Sequence, residues 1–117
     1  MDPPELRLFR MTNASREAHD KPPLTRAARL TDLAEAHSRL MARENALRHS
    51  GVRPKGCAAW AENIGVTGGA VRHLHQAFMA SKPHRDNILG HYQTVGVGLV
   101  RDDAGRLWGT VIFCRAP

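Results

Sequence analysis

Apolar and polar positions divide the chain into two helical stretches, an irregular middle, a further helix broken at a proline, and a terminal pair of β-prone runs. Leu6, Phe9, Asn13 and Arg16, with Leu8 and Met11 beside them, lie on helical spacing, and Pro22-Pro23 ends that helix near Ala18 or His19. Thr25 then reads as the N-cap of a longer helix running to about Asn45, with Leu30, Leu33, Ala34, His37, Leu40 and Met41 on one face. His37 therefore points into an apolar stripe, where a hydrogen-bonded core role is expected because burial disfavours a charged imidazole.

Leu47 to Ala59, punctuated by Gly51, Pro54 and Gly56, reads as irregular, with His49 at its start. Trp60-Ala61-Glu62-Asn63-Ile64-Gly65 is a short apolar element carrying one carboxylate and one amide, and a carboxylate in that setting needs a partner. Beyond Gly68-Gly69, a helix from about Ala70 to Ala80 should turn Val71, Leu74, Phe78 and His75 inward. His73 and His75 face different ways on it and make a poor chelating pair.

The stretch Ser81 to Leu89 combines a helix break, a helix start and a titratable cluster. Proline cannot continue a helix but fits the first turn of one, so a new short helix should begin at Pro83, capped by Ser81 or Lys82. His84 and Arg85 then fall in a first turn, where free N–H groups favour a neutral imidazole and an anionic visitor. After His91-Tyr92, the runs 94–100 and 107–114 form a hairpin about the turn Asp102-Asp103-Ala104-Gly105. Gly96, Gly98 and Gly109 weaken these strands and imply close approach of a helix, a backbone or a ligand. Helices followed by an antiparallel hairpin make the fold α+β, with the sheet covered by helices.

Length adds that residues 1–117 suit a single domain. Hydrophobic residues at 42% fit a globular protein, and no apolar run reaches the roughly 20 residues of a membrane span. Seventeen Lys and Arg against eleven Asp and Glu leave +6, suited to an anionic partner. The cations are scattered and aromatic residues are only 5%, so a solvated basic surface is expected and no specific nucleic-acid partner. The start Met1-Asp2-Pro3-Pro4-Glu5 has neither a basic nor an apolar leader segment, leaving a cytosolic protein or one whose leader is already removed. Cys57 and Cys114 show no redox or zinc spacing; paired, their loop of about 58 residues would contribute roughly 4 kcal/mol in the chain-entropy model.

Ala36-His37-Ser38 with Met41-Ala42, His49-Ser50-Gly51, Ala61-Glu62-Asn63-Ile64, Met79-Ala80-Ser81, His84-Arg85-Asp86-Asn87-Ile88-Leu89 and Val95-Gly96-Val97-Gly98 follow one another in a characteristic order. That ordered set resembles the CAP superfamily of cysteine-rich secretory proteins, antigen 5 and pathogenesis-related 1 proteins, also called SCP domains, in its compact bacterial secreted form. The resemblance spans about Leu8 to Cys114. It implies an α-β-α sandwich with a central antiparallel sheet and a cleft lined by two histidines and two glutamates, able in some members to hold a divalent metal. His49 matches the first histidine, Glu62 the first glutamate and His84 the second histidine, while Lys82 stands near the place of the second glutamate. His37, Asn63 and Asn87 are expected in structural roles.

The resemblance further implies secretion, a Cys57–Cys114 disulfide, and a partner that is a small hydrophobic ligand, a cell-wall component or a protein. Two imidazoles and one carboxylate suit Zn2+ or another divalent cation, with water completing the shell. The function expected is a binding or interaction module; the alternative is a metal-dependent, peptidase-like hydrolase with Glu62 as base. Ser50 adjoins His49 in sequence, which by itself does not make it a nucleophile.

Overall fold

The computed structural model describes residues 3–117, and the features read from Met1 and Asp2 lie outside them. The elements are α1 (Pro3–Ala18), β1 (Thr25–Arg26), α2 (Ala28–Glu44), β2 (Ala59–Thr67), α3 (Val71–Ala80), α4 (Lys82–Ile88), β3 (Thr94–Arg101) and β4 (Leu107–Arg115). The sheet runs β1-β3-β4-β2. Its three long strands are antiparallel, with Gly98 opposite Thr110 and Glu62 opposite Ile112, while β1 adds a two-residue parallel edge to β3.

Thr25 does not cap α2. It lies in β1, with its N–H donating to the Gln93 carbonyl at 2.9 Å, and Ala27 occupies the N-cap position without a side-chain hydrogen bond. The extended backbone that the β-branched Thr25 favours is used to close the sheet edge, and the helix starts three residues later.

Pleating sorts β4 into two faces. Leu107, Val111 and Phe113 join Val95, Val97 and Leu99 of β3 in a core with Leu8 of α1, Val71, Leu74 and Phe78 of α3, and Ile88 of α4. The alternate residues Ile112 and Cys114 pack with Leu30 and Ala34 of α2, and Trp108 packs with Met41 and Ile64. One helix therefore covers one face and three cover the other, the α-β-α sandwich.

The glycines of β3 set the spacing of the first layer. A Cβ on Gly98 would lie 2.2 Å from the Glu35 nitrogen, and one on Gly96 2.1 Å from the Leu30 carbonyl carbon, so the α2 backbone rests directly on β3. Ser38 Oγ fastens the contact by donating to the Gly98 carbonyl at 2.8 Å.

The buried side of α1 is offset from the Leu6, Phe9, Asn13 set and consists of Glu5, Leu8, Thr12 and Arg16. Two charged residues sit inside because distant backbone satisfies them. Glu5 Oε2 accepts from the Leu99 N–H at 2.7 Å, and Arg16 donates to the carbonyls of Pro22, Ile88 and Gly90. Cys57 and Cys114 form a disulfide that ties the irregular segment before β2 to the end of β4.

Candidate functional site

β2 is the strand at the open end of the sheet order, and its neighbours Glu62 and Asn63 point to opposite faces. Glu62, on the α2 side, is buried, with 2% of its side chain exposed. Its Oε1 accepts from His49 Nδ1 at 3.0 Å and from the Ser50 N–H at 2.9 Å, and its Oε2 accepts from Ser50 Oγ at 2.7 Å. The irregular segment is thus wound around one buried carboxylate.

His37 holds the same segment from behind. Its Nε2–H donates to the Arg48 carbonyl at 2.6 Å, so the residue before His49 is pinned to α2. His37 is buried.

Asn63 faces α4. Fully buried, it donates from Nδ2 to the His84 carbonyl at 3.0 Å and accepts at Oδ1 from Asn87 Nδ2 at 2.9 Å. These two asparagines anchor α4 to the strand. His84 itself stacks on Phe78, with ring centroids 5.2 Å apart, and its Nδ1 lies 2.8 Å from Ser81 Oγ. Burial, and secondarily the charge His49 acquires on protonation, hold the His84 imidazole below its ordinary pKa. His49 is carried by the irregular segment and His84 by α4.

Sequence reasoning did not find Ser50, Ser81 or Phe78 as partners in the cleft. Ser81 and His84 are three residues apart across a helix start, a spacing that offers such a contact, whereas the Phe78 stack depends on the bend between α3 and α4. Lys82 stays clear of the cleft, pairing with Asp86 at 2.7 Å on the outer face of α4.

The model of the CAP family, described as the cysteine-rich secretory protein family, matches residues 9–115. The chain belongs to the CAP family. No curated protein matches the sequence. Among solved structures, this CAP domain is similar to an outer surface protein of Borrelia burgdorferi, with a TM-score of 0.88 at 12% identity over 100% of this chain and 97% of that one. It is similar also to an extracellular SCP-domain protein of Bacillus anthracis, with a TM-score of 0.81 at 25% identity over 95% of this chain and 40% of that one, so it spans two-fifths of that protein. A venom allergen-like protein of Schistosoma mansoni shares the fold at 7% identity, with a TM-score of 0.76 over 100% and 91% of the two chains.

For a CAP cleft, the donor set here is reduced. Among the described residues, no group of three His, Cys, Asp or Glu is arranged to hold a metal ion. Both Glu62 oxygens already accept hydrogen bonds, and His49 Nδ1 is committed to Glu62, which leaves Nε2 of His49. When His84 Nδ1–H donates to Ser81 Oγ, Nε2 of His84 likewise presents a lone pair. By donor type alone, imidazole nitrogens suit a borderline cation such as Zn2+, and a carboxylate bonded to His49 Nδ1 is placed to orient that ring.

Proposed function

We propose that this CAP domain is an extracellular binding module whose cleft at the β2 edge engages its ligand through His49 and His84, and which takes a divalent cation between them weakly and exchangeably. The observation that carries this reading is the engagement of Glu62. A general base needs a lone pair facing the water it activates, and this carboxylate is buried, with 2% of its side chain exposed, and accepts three hydrogen bonds, two on Oε1 and one on Oε2. The same contacts argue against Ser50 as a nucleophile. Ser50 Oγ donates to a carboxylate and accepts from the Val52 N–H at 3.3 Å, an arrangement that shapes a turn and brings no imidazole to the hydroxyl. Zn2+, when bound, would supply positive charge at the cleft mouth and a link between the irregular segment and α4.

Secretion is supported by the family's description, by the disulfide, which persists in oxidising compartments, and by the extracellular relative from Bacillus anthracis. Among the described residues, no helix is long and apolar enough to cross a membrane.

The test is isothermal titration of the protein with zinc, beside a casein and a cell-wall peptide turnover assay. A weak heat that disappears in the His49→Ala, His84→Ala double variant, with no turnover, is the expected result. Turnover abolished by Glu62→Ala would establish the hydrolase reading in its place.

A further inference from the structure

An open trough runs along the outer side of α2, between that helix and the irregular segment that carries His49. Its floor is apolar, made by Leu33 and Leu40 of α2 facing Val52, with Ile112 beneath them, and it continues past Leu33 and Val52 to Pro54. Leu33 is 37% and Val52 55% exposed, so two aliphatic side chains face solvent from opposite walls. At the Pro54 end the rim bears Arg29, Arg53 and Lys55 against the single anion Asp32.

One of these cations is held in place. Arg53 Nη2 donates to the Cys57 carbonyl at 3.0 Å, while Arg29 Nη2 lies 4.0 and 3.9 Å from the sulfurs of Cys57 and Cys114. A guanidinium is planar with five donors, so the Arg53 head, anchored at one edge, still presents others to a carboxylate, and part of its ordering cost is met by the fold.

We propose that this trough docks an acidic polypeptide segment carrying aliphatic side chains, the aliphatic groups seated between Leu33 and Val52 and the carboxylates on Arg29, Arg53 and Lys55. The proposal rests on the binding-module reading and uses none of His49, Glu62 or His84, although Ser50, a partner of Glu62, borders the trough. A peptide suits the shape better than a detached lipid chain. A small apolar ligand needs most of its surface enclosed, whereas a segment of a larger partner loses little by leaving one side open. The excess of cations, within a chain of net charge +6, selects for acidic partners and against basic ones.

The probes are short fluorescein-labelled synthetic peptides: one alternating glutamate and leucine, one with lysine for glutamate, and one with serine for leucine. Anisotropy titration should show saturable binding of the first alone, weakened about tenfold by Lys55→Glu or Val52→Ser and weakened again on raising salt to about 0.5 M. Both substitutions lie at exposed positions, so folding is preserved. His84→Ala, on α4 and away from the segment that forms the trough wall, should keep peptide affinity while weakening zinc heat, which separates failure of the trough from failure of the cleft. Equal binding of the lysine or serine peptide, absence of saturation with the first peptide, or preference for phosphatidylglycerol vesicles over it would overturn the proposal. So would loss of peptide binding in His84→Ala, which would move the contact into the cleft.

Discussion

Asn63 Nδ2 donates to the main-chain oxygen of His84 at 3.0 Å, so a residue of the edge strand sets where the second imidazole of the cleft sits. Asn87 completes the arrangement by donating to Asn63 Oδ1. Asn63 is fully buried, and replacing it with Ala removes the side-chain donor to the His84 carbonyl and leaves the Asn87 amide without its acceptor. Asn63→Ala is expected to cost about 2–4 kcal/mol in urea unfolding. Asn87→Ala, which leaves the Asn63–His84 bond intact, should cost less. Equal stability of Asn63→Ala and the parent protein would show that α4 is anchored by other means.

The glycines of β3 give a second prediction. In Gly98→Ala the new methyl meets the Glu35 nitrogen and the Ala34 carbonyl carbon, both backbone atoms of α2, so no side-chain rotation relieves the overlap. We expect a loss of about 3 kcal/mol or more, by denaturant titration, or a protein that does not fold. Gly68→Ala is the control, since a Cβ there meets nothing within 4 Å.

Much of this architecture was legible in the sequence because the signals are local. The hairpin follows from two β-prone runs and an Asp-Gly turn region, and most of the α2 face from Leu30, Ala34, His37 and Met41, all buried, whereas Leu33 and Leu40, expected on the same face, lie at its open border. What escaped depended on distant partners. The buried Arg16 is satisfied by carbonyls at positions 22, 88 and 90, and Thr25 by a parallel contact with a strand almost seventy residues later. At the cleft, motif order points to His49, Glu62 and His84, but nothing in one dimension says that Ser50 fills the second oxygen of Glu62. That through-space detail bears on whether Glu62 acts as base or as supporting carboxylate.

Reduction of the Cys57–Cys114 disulfide should destabilise the fold and loosen the cleft segment first. With the two cysteines 57 residues apart, the lost cross-link corresponds to roughly 4 kcal/mol in the chain-entropy model. Intact mass before and after alkylation checks the pairing. Hydrogen exchange of the reduced protein should then show earlier exchange over residues 49–58 than over β3 and β4, since β4 stays paired with strands on both sides while the irregular segment has no strand ladder to hold it.

Stability should fall on acidification through the histidine range. Burial lowers the pKa of His75, whose Nε2 meets Ser15 Oγ while Nδ1 is buried without a hydrogen-bond partner, and burial likewise lowers that of His84. A base whose folded pKa lies below its unfolded value binds more protons when unfolded. The stability tied to these rings is therefore fully present above the unfolded value of about 6.5 and is lost as pH drops from there through the folded values. Thermal unfolding from about pH 7.5 to pH 5 should show a falling midpoint. The slope should flatten in His75→Leu, and an unchanged slope in that variant would count against the α1–α3 contact as its source.

Glu62 provides the sharpest contrast between supporting and catalytic roles. It contacts His49 and Ser50 directly and, on the present reading, touches the cation only through His49. Removing a carboxylate that orients a metal-binding histidine typically lowers metal affinity about 10- to 100-fold, so Glu62→Ala should weaken zinc binding by that order in calorimetry. Glu62→Gln keeps an acceptor for the His49 Nδ1–H and should recover part of the loss, an outcome a ligating carboxylate would not give. Asp86→Ala, which removes only the exposed partner of Lys82, should leave zinc affinity unchanged. Should Glu62→Gln bind zinc no better than Glu62→Ala, the carboxylate is itself a ligand and the two-imidazole reading of the cleft is wrong.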